Sequence, residues 1–179
     1  MANLTKDKWI DLILNNKGEY ETYKSETNEL IDLSEVEVTS YEISDVNLNN
    51  IDFTGSTFAE TQFTNVNFAD SDLTSCDLTH CRFIECDFTN ATLYGADFSY
   101  TEVHYCNFQD ADMAGCILNE ANLEDSDFAL SENLSACRFD EGTIWPDADK
   151  LPEDFDSSYS YDLSSLQDEE DKNDSDYMY

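Results

Sequence analysis

Residues 75–88 read SCDLTHCRFIECDF, with cysteines at 76, 81 and 86, each five residues from the next. Large apolar residues keep the same interval two positions later, at Leu78, Phe83 and Phe88. Followed outward in both directions, the interval runs from Leu33 to Phe128, and every position on it is large and apolar. The residue two places before each is mostly small, and never charged. A period of five fits neither the 3.6-residue stripe of a helix nor the two-residue alternation of a strand. Both apolar positions must nevertheless face one interior. A coil with four short sides achieves this. Each side sends one small and one large residue inward and leaves the remaining three to water.

The repeating unit, A-(D/N)-L-x-x with variants, appears as Cys76-Asp77-Leu78-Thr79-His80, Ala96-Asp97-Phe98-Ser99-Tyr100 and Ala121-Asn122-Leu123-Glu124-Asp125. It closely resembles the pentapeptide-repeat family, without a break over 31–128. That resemblance implies an all-β solenoid: a right-handed quadrilateral β-helix with four repeats per coil. Residues twenty apart then stack in adjacent coils, and Leu48, Phe68, Phe88, Phe108 and Phe128 are expected to form one ladder in the core. Burying each Phe stabilises the fold by roughly 1.5–3 kcal/mol. The opening cysteines also find a place. Cys76, Cys81, Cys86, Cys106 and Cys116 occupy the small inward position, and so does Cys137 after a register shift. Free cysteine behaves as a small buried hydrophobe. No redox C-x-x-C occurs, and successive cysteines on different sides cannot converge on one ion. Neither a metal site nor a cofactor is expected.

The chain divides into three segments: a helical cap at 1–30, the β-helix at 31–144, and a closing segment with an acidic tail at 145–179. In the first, Thr5 is expected to cap a helix whose Trp9, Ile10, Ile13 and Leu14 share an apolar face, with Gly18 as its end. Beyond Phe128 the fives resume one residue late at Leu134, Phe139 and Ile144, so 129–136 should hold a one-residue insertion. Trp145-Pro146 is expected to stop the ladder, because proline has no backbone N–H. Two readings stay open for this end. Trp145, Leu151 and Phe155 fold back over the last coil, or the C-terminal coil is a homodimer face. From about Tyr159 the acidic, Ser- and Tyr-rich sequence reads as a solvated tail.

Charge bounds the function. The chain carries 41 acidic and 8 basic residues, a formal net charge of −33. Within 31–144 the only bases are Arg82 and Arg138. Such a surface repels nucleic acids and anionic membranes and attracts basic proteins. At a strand spacing of about 4.8 Å the repeats make a rod roughly 27 Å long. Its net charge is then about one per 1.3 Å, against one per about 1.7 Å of duplex DNA. The first residues lack the features of an export signal, so a cytoplasmic location with reduced thiols is expected. His80 and His104 fall at outward positions on different sides, and the five glycines match no phosphate-binding loop. The chain reads as a non-enzyme.

Two functions remain. In the first, the rod is a DNA mimic that binds a basic DNA-binding protein. Resemblance to the quinolone-resistance and topoisomerase-poison-immunity members implies DNA gyrase or a topoisomerase as that partner; a defence protein would suit the same surface. The candidate docking residues are the column Asp32, Asp52, Asp72 and Asp112, together with Asp70, Asp87, Asp110 and Asp127. The first column runs beside a smooth edge of Glu35, Gly55, Ser75, Gly95 and Gly115. The competing reading is that these glycines merely supply turn geometry and the aspartates are merely solvated. In the second function the rod is an adaptor, recognised through the outward aromatics Tyr94, Tyr100 and Tyr105.

Overall fold

Every fifth backbone residue from Glu35 to Glu120 lies in the left-handed region, including Glu35, Asp70, His80 and Tyr100 and the glycines 55, 95 and 115. These are the corners of the coil. A left-handed corner is costly for a residue with a side chain, and here most are held by the next coil. The amide of Gly55 donates to the Thr74 carbonyl, and that of Ser75 to the Tyr94 carbonyl, each at 2.9 Å. The molecule, a computed structural model, is described for residues 4–27 and 29–158. The tail expected from Tyr159 onward lies outside the described residues.

The corners separate four sides. Short strands β1 (Ile31–Asp32), β2 (Glu42–Asn47), β3 (Ile51–Asp52), β4 (Gln62–Asn67), β5 (Arg82–Ile84) and β6 (Glu102–His104) pair in parallel between coils. The register is twenty residues: Ile31 pairs with Ile51, Phe63 with Phe83, and Phe83 with Val103. The third side carries a four-stranded sheet, β2-β4-β5-β6. The first, second and fourth sides continue largely as single bridges, among them Asp52–Asp72, Asp77–Asp97 and Asn67–Asp87. The chain is therefore a four-sided β-solenoid.

All the large positions from Leu33 to Phe128 are buried. The expected ladder is present: rings stack at 5.1 Å for Phe68–Phe88, 4.8 Å for Phe88–Phe108 and 4.3 Å for Phe108–Phe128. The small positions do more than fill space. Ser56 Oγ donates to the Leu33 carbonyl at 2.8 Å, Cys76 Sγ to the Phe53 carbonyl at 3.1 Å, and Ser126 Oγ to the Val103 carbonyl at 2.9 Å. Each satisfies a buried acceptor one coil back, which is why Ser, Thr and Cys interchange here. All six cysteines are buried and free. The first coil departs from the pattern. Val36 is half-buried, and Tyr41 turns out to water, 48% exposed, its ring too large for a slot that holds Thr61 and Cys81 in the next two coils.

At the N-terminal end, two helices replace the single one expected. α1 (Lys6–Asn15) is capped by Thr5, as its sequence suggests, and α2 (Lys17–Glu26) follows at once. Gly18 does not end a helix. Asn16 does, closing α1 with its backbone and capping α2 by accepting from the Glu19 amide. Trp9, Leu12, Ile13 and Tyr20 are buried against the first coil. Lysines complete the seal. Lys6 and Lys17 donate to the carbonyls of Ser34 and Ser44, and Lys24 to those of Asn47 and Asn49 at 2.7 and 2.8 Å.

At the other end the coil widens. Asp112 pairs with Glu132, but Ile117 pairs with Arg138 and Asn122 with Ile144. The expected insertion is there, at left-handed Asn133 and the 3₁₀ turn Leu134–Ala136. A second falls in the turn at 140–143, so Ile144 is not inward. It is 49% exposed, and Trp145 takes its slot, with ring centroids 5.1 Å from Phe139 and 4.7 Å from Phe155. Nor does Pro146 stop the ladder, since the Phe128 amide donates to the Lys150 carbonyl beyond it at 2.9 Å. Trp145, Leu151 and Phe155 pack on the core as a cover.

Candidate protein-interaction surface

The eight candidate aspartates fall into two physical classes. Asp32, Asp52, Asp72, Asp87, Asp112 and Asp127 sit just before a large inward residue. From there each carboxylate accepts the amide two residues on. Thr54 donates to Asp52 and Thr74 to Asp72, both at 2.9 Å, and Ala114 to Asp112 at 3.1 Å. Asp87 accepts from the Thr89 amide and hydroxyl and from Asn107 Nδ2, and Asp127 from the Ala129 amide. These are Asx turns, which an acidic or amide side chain makes with its own backbone. Asp52, Asp72, Asp87 and Asp112 are half-buried by it. Asp70 and Asp110 belong to the second class. They are corner residues, exposed and left-handed, outside the turn machinery. Asn90 Nδ2 donates to Asp70 at 3.2 Å, and Gln109 Nε2 to Asp110 at 3.2 Å.

The first side brings Asp32, Asp52, Asp72 and Asp112 into one column through successive parallel pairings, with Thr92 between and Glu132 beyond. Asp87 and Asp127 lie on the fourth side, linked through Asn107, and Asp70 and Asp110 lie at its corner. The first side's corner stacks its small residues in contact from coil to coil. A Cβ on Gly95 would lie 3.7 Å from Ser75 Oγ, and one on Gly115 would lie 3.8 Å from the Gly95 backbone. Among the described residues, the outward repeat positions of the first side carry no base, whereas the second, third and fourth sides include Arg138, Arg82 and Lys150. One cation reaches it from the cap: Lys6 pairs with Asp32 at 2.9 Å. Hydrogen bonds from Lys6 and Ser34 hold the Asp32 carboxyl down at about 2.

The aromatic candidates are exposed, Tyr94 by 56%, Tyr100 by 55% and Tyr105 by 65%, but on three successive sides rather than in one cluster. The histidines are not bare surface groups. His80 stacks on Tyr100 with centroids 4.9 Å apart and planes within 8°. His104 Nδ1 lies 3.2 Å from Asp125, and Glu102 bonds Arg82 at 3.2 Å. The His80–Tyr100 pair went unread in the sequence, although the two residues are one coil period apart.

No group of three or more His, Cys, Asp or Glu among the described residues is placed to hold a metal ion. No helix among them is long and apolar enough to cross a membrane.

No curated protein matches the chain. Solved structures do. Trypsin-treated QnrB1, a plasmid-mediated fluoroquinolone resistance protein, aligns at 17% identity with a TM-score of 0.49, over 64% of this chain and 65% of that one. A pentapeptide repeat protein, Rfr23, from the cyanobacterium Cyanothece 51142 aligns at 18% identity and TM-score 0.39, over 64% of this chain and 88% of its own. One from the Arabidopsis thaliana thylakoid lumen aligns at 22% identity and TM-score 0.30, over 55% and 68%. The sequence profile of pentapeptide repeats matches residues 42–79, 71–103 and 106–141, in 8 copies. With its five-residue period, its twenty-residue register and that profile, the chain belongs to the pentapeptide-repeat family.

Proposed function

We propose that this protein acts without catalysis, as an acidic rod that occupies the DNA-binding surface of a basic partner protein. The observation that carries this reading is the first side: a column of carboxylates stepped along a rod, beside a glycine edge, with no base among its outward repeat positions. A smooth edge lets a groove built for a duplex close around it, and with Lys6 at one end as its single counter-charge among the described residues the field of the column stays strongly negative. The resemblance noted in the sequence makes DNA gyrase or another topoisomerase the first partner to test, and QnrB1 is described as a fluoroquinolone resistance protein. A defence protein that binds DNA suits the same surface. Six buried free thiols fit a reducing, cytoplasmic setting.

The test is a supercoiling and relaxation assay with purified gyrase and topoisomerase IV, paired with an unbiased pull-down. Binding should weaken steeply with salt, and duplex DNA should compete for the partner. No effect at micromolar protein, with no DNA-binding protein recovered, removes the mimicry. One observation favours the adaptor instead, the exposed Tyr100 ring already stacked on His80. An adaptor anchored there tolerates salt and fails on Tyr100→Ala.

A further inference from the structure

The second corner of the rod carries the column Ser40, Glu60, His80, Tyr100 and Glu120, all left-handed. The His80 and Tyr100 ring centroids are 4.9 Å apart and their planes lie within 8° of parallel, and adjacent strands lie about 4.8 Å apart. The stack therefore runs along the rod. One face of Tyr100 is covered by His80. The other looks toward the coil of Glu120.

The two flanking carboxylates leave the stack uncovered. Ser40 Oγ donates to Glu60 Oε2 at 2.9 Å, which draws that carboxylate away from His80. The Glu120 carboxylate rests over Gly142 in the following coil, where a Cβ would lie 2.4 Å from Oε2. A side chain at 142 would push it aside, so the glycine leaves it room to lie toward the following coil. Neither glutamate pairs with a base among the described residues.

We propose that this ridge reads arginine: a guanidinium of a basic partner lies on the open face of Tyr100 and pairs with the Glu120 carboxylate. A guanidinium is planar, stacks on aromatic faces and offers a fork of donors to a carboxylate, while an ammonium is a compact, strongly hydrated point charge. The surrounding negative charge favours a cation over an apolar guest. The assignment rests on the reading that the partner is basic, and it adds a preference between the two kinds of basic side chain.

The test uses oligo-arginine and oligo-lysine peptides of equal length, titrated into the full chain at one salt concentration. Wild type should prefer the arginine peptide by about two- to fivefold, the size of an exposed cation–π contact. Tyr100→Asn should abolish that preference and leave lysine-peptide binding unchanged. Asn already holds the same backbone shape at Asn50, Asn65 and Asn90. Tyr100→Phe, which keeps the ring, should retain the preference, and circular dichroism confirms each fold. Equal binding of the two peptides, or a preference that survives Tyr100→Asn, overturns the assignment. Arginine preference without any DNA-binding partner leaves the ridge standing and removes the mimicry. DNA-competitive binding without arginine preference does the reverse.

Discussion

Replacing Asp52, Asp72 and Asp112 together separates the two jobs of the first-side carboxylates. In the alanine version each turn loses the acceptor that now holds Thr54, Thr74 or Ala114. One lost hydrogen bond of this kind costs about 1 kcal/mol, so the triple alanine variant should lose about 3 kcal/mol. That is a large share of the roughly 5–15 kcal/mol that stabilises a domain. In the asparagine version the charge goes but the acceptor stays. Asn47, Asn67, Asn107 and Asn122 already make the same bond at the same repeat position, at 2.8 to 3.1 Å. Its stability should stay within about 1 kcal/mol of wild type, since the cap survives and repulsion between neighbouring rungs falls. Urea unfolding followed by circular dichroism measures both. Binding to a basic DNA-binding protein is then read across a salt series. The asparagine variant should bind more weakly at low salt and converge with wild type at high salt. If it unfolds as readily as the alanine variant, the carboxylate charge and not the turn acceptor holds the corner. If it binds as wild type does, the first side is not the docking face.

Three further outcomes are expected. Phe88→Ala removes a ring stacked on both Phe68 and Phe108 and should cost about 3–5 kcal/mol. Phe128→Ala, with one stacked neighbour, should cost less in the same melts. The Asp32 carboxyl sits at about 2 in the fold against 3.8 ordinarily, so its pairing with Lys6 contributes fully above 3.8 and is lost as pH falls through 2. The stability difference between wild type and Lys6→Met should shrink over that window, and a difference that grows contradicts the pairing. Burial pushes the Cys76 and Cys81 thiols up to about 12, so iodoacetamide at pH 8 should leave these two native cysteines unmodified and label them once urea unfolds the chain. Rapid native labelling would place them outside the core.

The core was legible because its signal is a period. A large residue every five and a small one two before it leave few ways to fold, and Phe68, Phe88 and Phe108 stack where counting by twenty puts them. The outward positions carry no such signal. Asp72 and Asp70 read alike in the sequence, yet one closes a turn with its own backbone and the other sits exposed at a corner, its carboxylate bonded to the Asn90 side chain of the next coil. The clue was Asp or Asn followed two residues later by Ser or Thr, as at Asp77–Thr79 and Asp87–Thr89, and it reads as turn chemistry only once the corners are known. Ile144 kept the count of five while the backbone did not, because an added residue in a surface turn changes the register without changing the spacing beyond it. Gly18 looked like a helix stop, but Asn16 caps two helices with its backbone and side chain at once, and propensity alone does not separate the two.

The widening of the last coil has a consequence for how such a chain can grow. Upstream layers share one circumference, so a duplicated stretch of twenty residues inserted among them would slot in as another storey and lengthen the tower by about 4.8 Å. The storey that ends at Lys150 has a larger floor plan than those below it. A standard layer set directly on it would meet walls of unequal length. Lengthening by gene duplication is therefore accommodated most readily in the interior, where every storey repeats the same plan.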